Sequence, residues 1–332
     1  MPYTVNTSFQ LFRSAFVDLD QPSIARAQAA QAALQTLLTA LPEDVGRLFD
    51  AGRPLLAAGP LVRRTAIKSQ RVVALLLPLA ARGLSPEPQQ GGRWRITLRE
   101  PEGPLRACAG DDALVEPGRI AERLVGVLAA LPGCRRSEAL PDGAVRLELA
   151  EQPWRFELRP ALAVRGADDT TGHMLVPDGR AAWRRADPQR EQRLLEEENR
   201  RHNGLLLPLI RLLSYWNSNY HSIPGLPTDY LEALLIGGFQ EQDPLDSLKH
   251  GLLAGFRQLA ERLEGPCPDP YGLGPDLHTA IDQETRDQMR EKALVMAQFA
   301  QYGLYYERQG DQEEAVGWWR LMFFPDFPAY GS

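Results

Sequence analysis

The stretch Gly59–Leu77, GPLVRRTAIKSQRVVALLL, carries the decision about the fold. Its first part closes a loop marked by Gly52, Pro54, Gly59 and Pro60, residue types that set turn geometry. Its second part runs on as RVVALLLPL, a short and densely apolar segment that predicts a buried strand. On the residues alone, Val72 and Ala74 are simply apolar members of that strand.

Working outward, an Ala-rich helix is predicted over Pro22–Leu41, with Asp20 placed to cap it. A loop is expected at Gly83–Gly92, then strands at Arg93–Glu100, Ala144–Ala150 and Trp154–Pro160, with a helical pattern at Pro117–Leu131 between them. This order predicts a sheet flanked by helices. From Asp187 the pattern turns helical: a polar helix to Asn203, an apolar one over Leu205–Trp216, then Tyr230–Gln240, Pro244–Leu263, Ile281–Arg308 and a short one ending near Met322. The expectation is an α/β (α+β) protein with two lobes, residues 1–165 and 166–332.

Composition narrows the function classes. With 44% hydrophobic and 24% charged residues the chain is globular, and its net charge of −6 argues against a dominant attraction to nucleic acid or anionic membranes, leaving room for a local basic groove. The cysteines Cys108, Cys134 and Cys267 are odd in number and far apart, which predicts free thiols in a reducing compartment. No leader pattern is seen, and the longest apolar runs reach about half a membrane span, so the cytoplasm is expected.

With these pieces in place, Gly59–Leu77 resembles the signature of the cGAS/DncV-like and oligoadenylate-synthetase-like nucleotidyltransferases. In that family a Gly-Ser turn precedes a basic residue, a Thr-x-Ile/Leu-Arg/Lys element and an Asp-x-Asp pair on the next strand. The turn brings backbone N–H groups to a triphosphate, and the carboxylates hold two metal ions roughly 3.5–4 Å apart. Gly59, Arg63, Thr65, Ile67 and Lys68 match without a gap. The turn serine is Pro60 here, the Asp positions are Val72 and Ala74, and the third carboxylate position, in WRFELRPALAV, is Glu157.

The resemblance spans nearly the whole chain. VNTSFQLFRSAFVDLDQP is similar to the family's N-terminal segment with its spine helix, LVPDGRAAWRRADPQ to its Ile-Pro-Asp and Trp-x-x-x-Asp-Pro elements, LLLPLIRLLSYWN to its donor-side helix and WWRLMFFPDFP to its terminal aromatic run. It implies a polymerase-beta-like lobe with a C-terminal helical lobe. In the donor-side helix a family lysine that contacts the triphosphate is Ser214 here, a lost contact worth roughly 1.5–3 kcal/mol. Arg211 lies three residues before Ser214, so the two share the face that looks into the cleft in the family.

The resemblance therefore implies a nucleotidyltransferase fold without catalysis, acting on a nucleotide or phage-derived ligand or on a protein encoded nearby. The ligand-binding candidates are Gly59, Arg63, Thr65, Glu157, Arg211 and Ser214. No metal is expected, since one carboxylate cannot bridge two Mg²⁺ ions. Two alternatives stand beside this. One is an active enzyme making cyclic or linear oligonucleotides, with Mg²⁺ held by Glu157 and loop carboxylates such as Asp168; the other is a non-catalytic subunit of a defence complex. Asp168 and Asp169 read more simply as a solvated turn, and the histidines show no metal-ligand spacing. The aromatic cluster of Tyr302, Tyr305, Tyr306, Trp318, Trp319, Phe323, Phe324 and Phe327 reads as core, and any exposed part of it as a partner surface.

Overall fold

A computed structural model describes residues 4–42, 46–50, 53–100, 103–164, 173–179, 181–219, 224–278 and 281–331. Asp168 and Asp169 lie outside the described residues. Helix α1 (Val5–Phe12) continues into a π-helical turn (Arg13–Val17), and α2 (Gln21–Thr39) follows, capped by Asp20, whose side chain accepts from the Ser23 N–H. The strands are β1 (Leu56–Ala57), β2 (Val72–Leu79), β3 (Leu84–Pro88), β4 (Arg93–Leu98), β5 (Cys134–Ala139), β6 (Val145–Leu149), β7 (Arg155–Val164), β8 (His173–Pro177) and β9 (Trp183–Ala186). The short helix α3 (Gly59–Arg63) precedes β2, and α4 (Pro117–Ala129) precedes β5.

These strands form one mixed sheet in the order β1-β2-β7-β8-β9-β4-β3, with β6 on the other edge of β7 and β5 beyond it. β2 and β7 are parallel and central, which is why β2 is an unbroken apolar run. One sheet face packs on α2 and α4 through Val73, Leu75, Leu77, Leu147, Phe156 and Leu158. The alternate residues, Ala74, Leu76, Glu157 and Arg159 among them, point to the opposite face.

Past the sheet come α5 (Pro188–Arg201), α6 (Leu206–Asn219), α7 (Thr228–Gln240), α8 (Leu248–Arg262), α9 (Gln283–Arg308) and α10 (Gln312–Met322). They enclose a second core, and α1 belongs to it: Phe9 meets Trp319 and Phe327 with ring centres 5.1 and 5.0 Å apart, and Phe12 meets Phe323 at 4.9 Å. Of the aromatic cluster, Trp319, Phe323 and Phe327 are core, while Tyr302, Tyr305 and Phe324 are exposed.

The α/β nucleotidyltransferase fold with a C-terminal helical lobe is borne out, with corrections of detail. The expected loop at 83–92 contains β3, whose Pro86 and Pro88 are tolerated because β3 is an edge strand. The sheet also runs past the boundary expected at residue 165, since β8 and β9 lie beyond it, and helix α1 packs with the helical core rather than with the sheet. Among the described residues, no helix is long and apolar enough to cross a membrane.

Candidate functional site

The sheet face away from α2 and α4 looks into a cavity of about 710 Å³, closed on the far side by α5, α7 and the segment 269–277. Gly59, Pro60, Arg63, Val72, Ala74 and Glu157 all line it, so the structure brings together most of the positions that the motif selects.

The entrance to α3 explains the first of these. Gly59 has φ +68°, and a Cβ there would sit 3.0 Å from Ala74 Cβ, so glycine is required both for the backbone conformation and for the close approach to β2. Pro60 then starts the helix, where a missing N–H costs the fold nothing. That same feature removes both the hydroxyl and the backbone donor that a Gly-Ser turn offers a phosphate. Arg64 closes α3 in the left-handed region at φ 63°, and the Thr65 and Ala66 N–H groups donate to the Pro60 carbonyl at 2.8 and 3.1 Å.

Arg63, 6% exposed, is bound by three carboxylates at once. Its Nε donates to Glu232, Nη1 to Glu191 and Nη2 to Asp229, each at 2.7 Å. The Thr65 hydroxyl donates to the other Glu232 oxygen at 2.5 Å. Burial pushes the Glu191 and Glu232 carboxyls above the usual range, with Arg63 opposing it. Asp229 opens on one side to the cavity; desolvation pushes it up too, but Arg63, Arg184 and Arg159 outweigh this and hold it at about 2. The Tyr271 hydroxyl is buried without a hydrogen bond, its acidity suppressed by burial beside this cluster. Arg63 and Thr65 thus join the sheet to α5 and α7, with three of the five Arg63 N–H donors given to carboxylates.

The positions that carry the carboxylates in the resembling family lie in register. Ala74 pairs with Glu157 across the parallel β2–β7 ladder, and Glu157 pairs with Arg146 across the antiparallel β7–β6 ladder. Arg146 reaches Glu157 at 3.4 Å and Glu138 at 3.0 Å, and two residues along β7 Arg159 pairs with Asp142. The two Mg²⁺ ions that the resemblance implies do not fit this donor set. Positions 72 and 74 offer only hydrocarbon, Glu157 already has a cationic partner, and among the described residues no group of three or more His, Cys, Asp or Glu side chains could hold a metal ion.

Arg211 and Ser214 correct the expectation of a cleft-facing pair, because neither lines the cavity. Helix α6 is buried on nearly every side, so spacing alone could not say which face met the cleft. Arg211 Nε donates to Asp18 at 2.7 Å and Nη1 to the Arg64 carbonyl at 2.8 Å, while Ser214 is 2% exposed with its hydroxyl unbonded. Lys68 likewise turns away, its ammonium on the Ser14 and Ala15 carbonyls. Conversely, sequence reading passed over Arg146, Arg159, Arg184, Glu191, Asp229, Glu232 and Tyr271 on the cavity wall. Two signals were available: Arg159 sits two residues from Glu157 on one strand, and Glu232 interrupts the apolar run of α7, where a buried charge needs a partner.

A sheet with these positions on adjacent central strands, closed over by a helical lobe, defines a nucleotidyltransferase fold. No model of a protein family matches the chain. It is 26% identical to a probable cyclic nucleotide synthase of Bacillus cereus (strain VD146) over 99% of each chain. Among solved structures it is similar to E. coli MS115-1 CdnC with ATP, with a TM-score of 0.68 at 14% identity over 99% of this chain and 100% of that one. It is also similar to CdnC from its complex with HORMA-deltaN, with a TM-score of 0.66 at 14% identity over 97% and 98% of the two chains. The resemblance read in the sequence is borne out in fold and extent: over nearly its full length the chain is similar to a probable cyclic nucleotide synthase and to CdnC.

Proposed function

We propose that this chain keeps the nucleotidyltransferase fold but not the reaction, and acts by binding a ligand or partner in bacterial antiviral signalling. The observation that carries the proposal is the row Ala74–Glu157–Arg146, in which an arginine faces the retained carboxylate and hydrocarbon occupies the neighbouring position. Phosphoryl transfer depends on positioned charge around the transferring group, and a metal pair is its usual source. Here the cations of the motif are spent elsewhere: Arg63 on carboxylates, Lys68 on main-chain carbonyls.

The nature of the bound species is taken from the relatives. CdnC has been solved with ATP and with a HORMA protein, so a nucleotide in the cavity or a protein on the helical lobe are the occupants to test. Incubation with the four labelled ribonucleoside triphosphates and Mg²⁺ or Mn²⁺ is expected to give no product, and the double change Val72→Asp with Ala74→Asp is expected to give none either. Product from the unaltered chain would overturn the proposal.

One observation favours an active enzyme instead: Glu157 is retained on the cavity wall in a chain related to a probable cyclic nucleotide synthase. That reading requires product formation to collapse in Glu157→Gln, and unchanged product in that variant would remove it.

A further inference from the structure

Outside the cavity, four cations crowd two carboxylates. Arg13 Nη2 donates to one oxygen of Asp18 and Arg211 Nε to the other, each at 2.7 Å. Arg211 also reaches the Arg64 carbonyl, and Lys68 sits on the carbonyls of the π-helical turn that carries Arg13. The second carboxylate, Asp20, is occupied as the cap of α2. None of these side chains lines the cavity, although Arg64 directly follows Arg63, which does.

This arrangement, four cations to two carboxylates, is positive within a protein whose net charge is −6. Arg64 is exposed and its side chain donates no hydrogen bond among the described residues, and it closes α3 in a left-handed backbone conformation. Arg13 Nε is buried and unbonded. Among the described residues, the Lys68 ammonium donates to main-chain oxygens and to no carboxylate. Burial first, and then the neighbouring charges of Arg13 and Arg64, lower the affinity of Arg211 for its proton against the pull of Asp18. Like charges at this spacing repel unless an anion sits among them.

We propose that Arg13, Arg64, Lys68 and Arg211 form a surface anion site, separate from the cavity, that takes a compact oligophosphate group. Two observations set the class. Arg13 and Arg211 meet on a single carboxylate and Arg64 lies close enough for its charge to act on Arg211, a compact grouping, whereas a duplex spreads its charge along an axis. Three of the four are arginines, whose planar forks match phosphate oxygens. Asp18 is the internal competitor: it holds Arg13 and Arg211 in place and occupies donors that a phosphate would take.

Calorimetric titration with tripolyphosphate, in buffer with a chelator, tests the site. One equivalent is expected to bind. Arg64→Gln, which alters an exposed side chain with no contacts to lose, is expected to weaken binding about tenfold, the loss of one charge-assisted contact. Asp18→Asn is expected to tighten it, a gain that a purely structural ion pair would not give. ATP should bind in the same way and AMP more weakly, since the group recognised is the phosphate chain. Arg159→Gln, in the cavity, should change nothing.

Unchanged affinity in Arg64→Gln would overturn the proposal. So would loss of binding in Arg159→Gln, which would place the phosphate in the cavity. Binding of duplex DNA in the absence of tripolyphosphate binding would overturn it too, and would mark the cluster as a reader of a polymer backbone. Because this site lies outside the cavity, the product assay on the unaltered chain and this titration can fail independently.

Discussion

Helix α3 and the start of β2 meet where Gly59 packs on Ala74, and they hold charge in opposite ways. In α3 the motif's arginine is kept, buried, and surrounded by Glu191, Asp229 and Glu232. On β2 the motif's charged positions are Val72 and Ala74, and Glu157, in register with Ala74, pairs with Arg146. The part of the motif that ties the sheet to the helices has stayed polar, while the part that would touch metal has become apolar or self-paired. A charge buried for structure is expensive to remove, and a half-exposed ion pair is not. Graded substitutions should expose that difference.

The largest effect is expected at Arg63. Arg63→Gln leaves three carboxylates crowded together without their cation, and breaking such a buried network costs about 3–5 kcal/mol. Glu232→Gln keeps Arg63 paired with Glu191 and Asp229 and is expected to cost less than half as much. Urea denaturation at neutral pH measures both, and equal costs would mean that the three carboxylates do not share the arginine.

Next comes Gly59. Alanine there must adopt φ near +68° and meet Ala74 at 3.0 Å, a cost of about 1–2 kcal/mol. Adding Ala74→Gly should recover the contact part and leave the conformational part. Full recovery would show that the close approach, and not the left-handed backbone, is what demands glycine.

How far the sequence could be read follows the same division. The motif's frame was legible because Gly59, Arg63, Thr65 and Lys68 keep their spacing, and spacing survives any change of role. Val72, Ala74 and Glu157 were legible as positions, and the ladder register places Ala74 beside Glu157. The direction of a side chain on a buried helix was not legible: Arg211 and Ser214 share a face, but the packing of α6 on every side hides which neighbour that face meets. The carboxylates around Arg63 come from α5 and α7, more than a hundred residues on, and only tertiary contact brings them to it. The edge strand β3 was hidden by Pro86 and Pro88, which mark loops in sequence and are accepted only at a sheet edge.

The Arg63 cluster should also set a pH dependence with two opposed slopes. Asp229 is depressed to about 2, so its contribution is present above the unfolded aspartate value near 3.9 and is lost as pH falls toward 2. Glu191 and Glu232 are raised by burial, so their contribution is fully present below the unfolded glutamate value near 4.3 and is lost as pH climbs through the folded values. Stability should therefore rise and then fall across the acidic range. Urea midpoints measured from pH 3 to pH 7 should show the falling limb flattened in Glu232→Gln, and a limb unchanged in that variant would assign it to other groups.

The smallest effect is expected at Glu157, on the strand beside Ala74. Glu157 and Arg146 are 31% and 29% exposed in their side chains and 3.4 Å apart, and Arg146 keeps a closer partner in Glu138. A part-exposed pair of this kind contributes about 0–1 kcal/mol, so Glu157→Gln should leave the denaturation midpoint almost where it was. Its value lies in the contrast with Glu232, since both are glutamates on the wall of one cavity and both are bound to an arginine. If Glu157→Gln proved as costly as Glu232→Gln, the row Ala74–Glu157–Arg146 would count as a second structural clasp, and Glu157 would need no explanation beyond stability. A near-neutral substitution leaves Glu157 with little structural reason to persist, and makes a ligand in the cavity the better account of it.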